Sequence, residues 1–264
     1  MGRSTTLLAT AVATLLAAAA APGQEVVTKD VGEGANPESM ACNYSFTASN
    51  IKWCLNANGN LVSLQSPGTI DHIRYGTSAL EGYYLCVNGA LKAYDNAMYS
   101  AGWGSPTVIA AQTATGITIR RKTLDGTFQL DQKWSRDNNE RDLTVQMTLK
   151  NLGAALNGVE LGRVADFNVD ISLDDVIYDR FDRTRNTLWF RDPINGRDGV
   201  TMKLLTLNPN YLAIVALFSP YAKCIYPQLA FPGGPTDVMG HARYVFGTMS
   251  SGAQKAVQLG FRVE

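Results

Sequence analysis

The stretch ITIRRKTLDGTFQLDQKWSRDNNERDLTVQMTLK, residues 117–150, decides the fold class. Asp125-Gly126 predicts a tight hairpin turn, because a type I′ turn needs positive φ at both central residues and Asp-Gly supplies it cheaply. Folding the chain there puts Ile117, Ile119, Phe128, Leu130 and Trp134 on one face and sets Arg120 opposite Asp131 on the other. After the polar loop 137–141, Leu143, Val145, Met147 and Leu149 alternate with Thr144, Gln146, Thr148 and Lys150. That period of two marks a third, half-buried strand, and the three segments form a β-meander.

The same logic extends in both directions. Upstream, Asn58-Gly59 predicts a two-residue hairpin with Leu55 opposite Val62 and Trp53 opposite Leu64. Its second face carries Lys52, Asn56, Ser63 and Gln65, with Leu61 as the exception. Downstream, residues 200–207 and the alternating Val257, Leu259, Phe261 and Val263 read as further strands, and helical periodicity appears nowhere at length. The run from Tyr211 to Phe218 is apolar on both strand faces, so it must be covered on both sides. The predicted fold is therefore all-β, a large antiparallel two-sheet sandwich with an extra covering layer and few or no helices. An outer-membrane barrel would alternate lipid-facing and lumen-facing residues there, which this run does not.

At the start of the chain, Arg3 precedes an apolar run from Leu7 to Ala21 and a small-residue exit near Gln24. This pattern predicts a signal peptide over residues 1–24, too short to span a bilayer comfortably. Residues 25–40, polar and holding Gly32, Gly34 and Pro37, read as a flexible lead, and residues 41–264 as one domain. The expected location is periplasmic or secreted, with no membrane span in the mature chain. Its four cysteines, Cys42, Cys54, Cys86 and Cys224, then predict two disulfides. Three connectivities exist. Cys42–Cys54 with Cys86–Cys224 is favoured, since the first two are close in sequence and the others lie in apolar strands. A cysteine metal site is disfavoured, because no Cys-x-x-Cys occurs and only His72 and His241 could complete it.

Lysine plus arginine equals aspartate plus glutamate at 23 each, so electrostatics gives no reason to expect a nucleic acid partner. Two segments carry candidate chemistry. From Val164 to Leu173 the odd positions are apolar, while Asp166, Asn168, Asp170 and Asp174 form an oxygen-rich stripe. Such oxygens suit Ca²⁺, but Ile171 and Ile177 stand where an EF-hand loop needs Gly and Glu. A solvated strand face is the favoured reading, with a Ca²⁺ site as the alternative and no other cofactor expected. The second segment, 178–192, sets Arg180, Asp182 and Arg183 among aromatics including Trp189. Aromatic stacking beside fixed charges is how a sugar ring is held, although a charge-rich surface loop has the same composition.

Asn58-Gly59-Asn60-Leu61, Pro67-Gly68, Glu81-Gly82-Tyr83, Asp142-Leu143-Thr144-Val145, Asn151 and Arg163 with Asp166 occur in an order that resembles the β-supersandwich domains related to galactose mutarotases and carbohydrate-active enzymes. The resemblance implies fold and brings no catalytic residue. Proton transfer of the mutarotase type needs an acid and a base across a pocket, and only His72, His241, Glu81 and Glu160 are candidates. Both histidines are expected at loops or strand ends. No nucleophile elbow, phosphate loop or His-Glu-x-x-His motif occurs. The expectation is a non-catalytic binding module for carbohydrate or another cell-surface ligand, with an epimerase or lyase as the alternative.

Overall fold

A computed structural model describes residues 40–66, 71–75, 78–79, 81–97, 99–136, 141–167, 177–182, 187–191, 198–205, 211–217, 224 and 238–263. Nineteen strands run through these residues in chain order. The first seven are β1 (Tyr44–Thr47), β2 (Lys52–Leu55), β3 (Leu61–Gln65), β4 (Arg74–Tyr75), β5 (Ser78–Ala79), β6 (Glu81–Val87) and β7 (Ala90–Asn96). Then come β8 (Ser100–Ala101), β9 (Thr107–Ala110), β10 (Gly116–Lys122), β11 (Phe128–Arg136), β12 (Asp142–Asn151) and β13 (Leu156–Asp166). The last are β14 (Ile177–Asp182), β15 (Thr187–Arg191), β16 (Asp198–Leu204), β17 (Tyr211–Leu217), β18 (Val238–Met249) and β19 (Gln254–Val263). The expected signal peptide, residues 1–24, and the expected lead, residues 25–40, lie outside the described part except for Met40. No described helix is long and apolar enough to cross a membrane.

Two large antiparallel sheets carry the fold. Sheet I has eight strands in the order β14-β15-β16-β19-β12-β11-β10-β9, and sheet II has six in the order β17-β18-β13-β6-β7-β8. The predicted meander β10-β11-β12 lies within sheet I, with Arg120 opposite Asp131 and joined to it at 2.6 and 2.7 Å. Alternation then fills the space between the sheets. Ile119, Leu130, Trp134, Val145, Met147, Leu259 and Phe261 from sheet I meet Leu85, Val159, Leu161 and Tyr244 from sheet II in one continuous core. Burying such side chains contributes on the order of 1.5–3 kcal/mol each.

Both hairpin turns differ from the predicted type I′. Among their central residues only Gly59 (φ +86°) and Gly126 (φ +72°) lie in the left-handed region. At the first, Gly59 donates to the carbonyl of Asn56 at 3.1 Å and the Asn56 and Asn60 backbones bond at 3.0 Å, closing a three-residue loop. A bulge between Cys54 and Leu55 absorbs the odd residue, so Trp53 still opposes Leu64 but Leu55 opposes Leu61. Hence Leu61 is core and Asn56 is buried, reversing the polar face expected at that end. The cause is local: the Asn56 side chain accepts the Asn60 N–H at 2.9 Å and fixes the longer loop. At the second turn a loop over residues 124–127 keeps the expected register, because the Asp125 carboxylate accepts from Thr123 Oγ1 at 2.7 Å and from the Thr127 N–H at 3.1 Å.

The doubly apolar run forms β17, which pairs with β18 at one end of sheet II. Residues 81–86 of β6 are buried on both faces. Their outer cover includes Cys224, bonded to Cys86, while Cys42 is bonded to Cys54.

Candidate functional site

Two polar assemblies are built on sheet II, one on each face. The inner one surrounds the loop 56–60. Arg163 on β13 is fully buried and forms a bidentate pair with Glu81 on β6, through Nε to Oε1 and through Nη2 to Oε2 at 2.9 Å. Its remaining donors reach Gln132 Oε1 at 2.8 Å and the Gly59 carbonyl at 3.1 Å, and its guanidinium lies 4.6 Å from the Trp134 ring centre. Glu81 Oε2 also accepts the Leu61 N–H at 2.6 Å. Beside it, Arg121 pairs with Asp95 at 2.8 Å, and Asp95 accepts from Asn58, Asn60 and Ser100. Burial pushes the Glu81 and Asp95 carboxyls upward, and the neighbouring guanidinium partly offsets this in each.

This inner network is a clasp. Residues whose order carries the family resemblance, Asn58, Gly59, Asn60, Leu61, Glu81, Tyr83 and Arg163, converge in it. The hydrogen bonds from Trp134 and Gln132 on β11 to the carbonyls of Gly59 and Asn58 tie the loop to sheet I as well. Its charged groups are sealed from solvent, so the clasp holds the loop 56–60 to both sheets and offers no surface to a ligand.

The outer assembly is different. Glu160, Gly162, Val164 and Asp166 alternate with the buried positions of β13, so they occupy the opposite face of sheet II. Cross-strand register sets Tyr84 and Arg243 on either side of Gly162, and His241 beside Val164. A Cβ on Gly162 would stand 2.0 Å from Cζ of Tyr84, so the missing side chain is what lets the Tyr84 ring lie across β13. The phenol thereby reaches Nε2 of His241, two strands away, in a buried hydrogen bond. Burial, with Arg243 nearby, pushes the His241 imidazole down to about 4. Arg243 itself holds Glu160 through two bonds of 3.0 and 2.6 Å, and this pair is only partly buried.

His241 therefore stands inside a long strand, not at a loop or strand end as expected. The strand continues because the segment 238–249 pairs on both sides, with β17 and with β13. His72 is in a loop, as expected, and its backbone N–H donates to Leu64 at 2.8 Å. The four proton-transfer candidates are not brought together: Glu81 faces the interior, while Glu160 and His241 face outward and have Arg243 and Tyr84 as partners. The sequence signal for the Tyr84–His241 pair was slight, a glycine inside the β13 alternation.

Of the acidic stripe, Asp166 ends β13 on the outer face, and Asn168, Asp170 and Asp174 lie outside the described residues. Among the described residues no three His, Cys, Asp or Glu side chains gather as a metal would require. Arg180, Asp182 and Trp189 lie on β14 and β15 at the end of sheet I, with Arg180 directly opposite Trp189 in register, and Arg183 lies outside the described residues.

Comparison with solved structures places this architecture. An Escherichia coli K12 protein proposed as an aldose 1-epimerase superposes with a TM-score of 0.52 at 11% identity, over 84% of this chain and 98% of its own. The Slr1438 protein of Synechocystis sp. PCC 6803 gives 0.52 at 11% identity, over 84% of this chain and 95% of its own. A bacterial glucoamylase complexed with acarbose gives 0.58 at 12% identity, covering 88% of this chain but 33% of the enzyme. The chain therefore shares its all-β fold with these structures. At these identities the likeness is one of fold. No protein-family model matches the chain, and neither does any curated protein sequence.

Proposed function

We propose that this protein is exported and binds carbohydrate through the outer face of sheet II, without transforming it. The observation that carries the reading is the partly exposed ion pair Glu160–Arg243 on that face, with the buried Tyr84–His241 pair beside it. Fixed charges suit a sugar, whose hydroxyls bond to charged groups. The fold neighbours, a glucoamylase complexed with acarbose and a protein proposed as an aldose 1-epimerase, support the same ligand class. Two disulfides fit an oxidising compartment. Arg180, Asp182 and Trp189 on sheet I, together with Arg183, remain the proposed secondary contacts.

Binding is favoured over catalysis because a general base works best with its pKa near the working pH. His241, held at about 4 and bonded to a phenol, is a feeble base at neutrality. The test is a glycan array of the purified protein beside the Arg243→Ala and Glu160→Gln variants. Binding should be lost or weakened about tenfold in either, the equivalent of one charge-assisted contact of about 1.4 kcal/mol. Polarimetry on freshly dissolved α-glucose and α-galactose should show the uncatalysed rate. An accelerated approach to equilibrium would replace this reading with the epimerase alternative.

A further inference from the structure

Sheet I also has an outer face, and its charge is one-sided. Alternation buries one side of β10, β11, β12 and β19 and turns the other to solvent. Arg120, Lys122, Lys133, Lys150, Lys203 and Arg262 stand on that outer side, against Asp131 and Asp142. Both acids are already paired, Asp131 with Arg120 at 2.6 Å and Asp142 with Arg262 at 3.5 Å. Among the described residues no carboxylate lies within ion-pair distance of Lys122, Lys133, Lys150 or Lys203. The chain as a whole carries 23 cationic and 23 anionic side chains, so this excess is a local segregation of charge.

Register fixes the pattern. Lys122 lies opposite Gln129 and Gln129 opposite Lys150, which sets the two lysines on strands about 10 Å apart, twice the interstrand spacing. Lys133 follows Gln129 by four residues on β11, about 14 Å along the strand. Lys203 lies opposite Gly260, on the far side of β19. Between these cations run uncharged hydrogen-bonding side chains, Thr144, Gln146, Thr148 and Gln258. On β10, β11, β12 and β19 the outer positions hold no aromatic ring and no apolar side chain larger than alanine.

We propose that the outer face of sheet I binds a linear acidic polysaccharide, with Lys122, Lys133, Lys150 and Lys203 holding its carboxylate or sulfate groups. The threonines and glutamines between them bond its hydroxyls. Charge alone would also admit a nucleic acid or an anionic membrane, but the neighbours of the lysines favour the sugar polymer. Single-stranded nucleic acid is held by stacking its bases on aromatic rings, and a membrane surface by burying apolar side chains; these strands offer neither. The site lies on the other sheet from Glu160 and Arg243, so it stands or falls apart from the binding reading above.

The full chain is titrated with polygalacturonate, dextran sulfate, neutral dextran, a single-stranded DNA oligonucleotide and phosphatidylglycerol vesicles. Expected is binding to one or both acidic polysaccharides and not to dextran, weakening at least about tenfold between about 50 and 200 mM salt as counterions cease to be released. The difference between the two polymers tells carboxylate from sulfate. Lys122→Gln with Lys133→Gln should weaken binding about tenfold, the loss of about 1.4 kcal/mol. Lys52→Gln with Lys92→Gln removes the same net charge from β2 and β7, off sheet I, and should leave binding unchanged. Lysine acetylation read by mass spectrometry tests the wild-type protein as well: bound polymer should protect the four lysines of sheet I and not Lys52. Binding to neither acidic polysaccharide, equal losses in the two double variants, or protection that misses sheet I would each overturn the proposal. Tighter binding to the oligonucleotide or the vesicles, lost in the same sheet I variant, would assign the face to that partner and overturn it too.

Discussion

Replacing Arg163 with Met tests the inner clasp directly. The substitution keeps the aliphatic stem in a fully buried site and removes the cation, leaving Glu81, also fully buried, with the Leu61 N–H as its remaining hydrogen bond. Breaking a buried pair from one side costs about 3–5 kcal/mol, because the surviving charge is neither hydrated nor matched. That is a large part of the roughly 5–15 kcal/mol that holds a domain together. The loss should also depend on pH in a definite direction. Burial already pushes the Glu81 carboxyl above its usual 4.5, and without Arg163 nothing of like strength pulls it back. A carboxyl whose folded pKa exceeds its unfolded value holds more protons when folded, so the stability of Arg163→Met should recover as the pH falls towards 5. The second arm is Glu81→Leu with Arg163→Met, in which both charges are gone. Gly59 O still accepts from Trp134, so the double variant leaves chiefly the Leu61 N–H and Gln132 Oε1 short of a partner. Its loss should fall about 3 kcal/mol below the sum of the two single losses. Urea titrations followed by tryptophan fluorescence supply all three free energies, Trp134 being the ring on which Arg163 lies. A single-variant loss under about 1 kcal/mol, or one indifferent to pH, would refute the clasp as a buried ion pair.

Gly162→Ala should cost about 1–3 kcal/mol by overpacking, since its Cβ falls on the Tyr84 ring, and much less in a Tyr84→Ala background; equal losses in the two would refute the crossing. Gly126→Val should cost about 1–3 kcal/mol through backbone strain alone, because the space around its Cβ is empty while its φ is +72°; an unchanged melting temperature would contradict it. His241, depressed to about 4 when folded against about 6.5 unfolded, must withhold a proton that the unfolded chain accepts. Stability relative to His241→Gln should therefore fall by about 3 kcal/mol as the pH drops from about 6.5 to 4, and a flat difference would mean the imidazole is hydrated. Thermal melts in millimolar Ca²⁺ and in chelator should coincide if the Asp166 stripe is a solvated face, and a Ca²⁺-dependent rise would revive the metal alternative.

The fold was legible because its strands are long and alternate. Residues 143–149 show the period-two pattern without interruption, and every apolar member is core. Turns were legible in position but not in type, since Asn-Gly and Asp-Gly mark where φ turns positive but not how many residues the loop holds. Leu61 shows the consequence: a bulge one residue away moved it from the expected wet face into the core. Hydrogen bonds accepted by the Asn56 and Asp125 side chains made that choice, and a pattern of apolar and polar residues does not encode them.

The charged residues were harder for a physical reason. Arg121, Gln132 and Arg163 occupy core positions in their strands, where alternation alone would place apolar side chains or declare the strand misread. They are tolerated because partners arrive from four other segments: Glu81, Asp95, the carbonyls of residues 58 and 59, and Gly104. Sequence separations of up to 104 residues divide these partners, so no local window contains them. The outer face adds the converse case. There the decisive residue is a glycine, and what Gly162 contributes is the room through which Tyr84 reaches His241. A core charge and an absent side chain are both departures from local expectation, and each becomes intelligible only when the strands beside it are known.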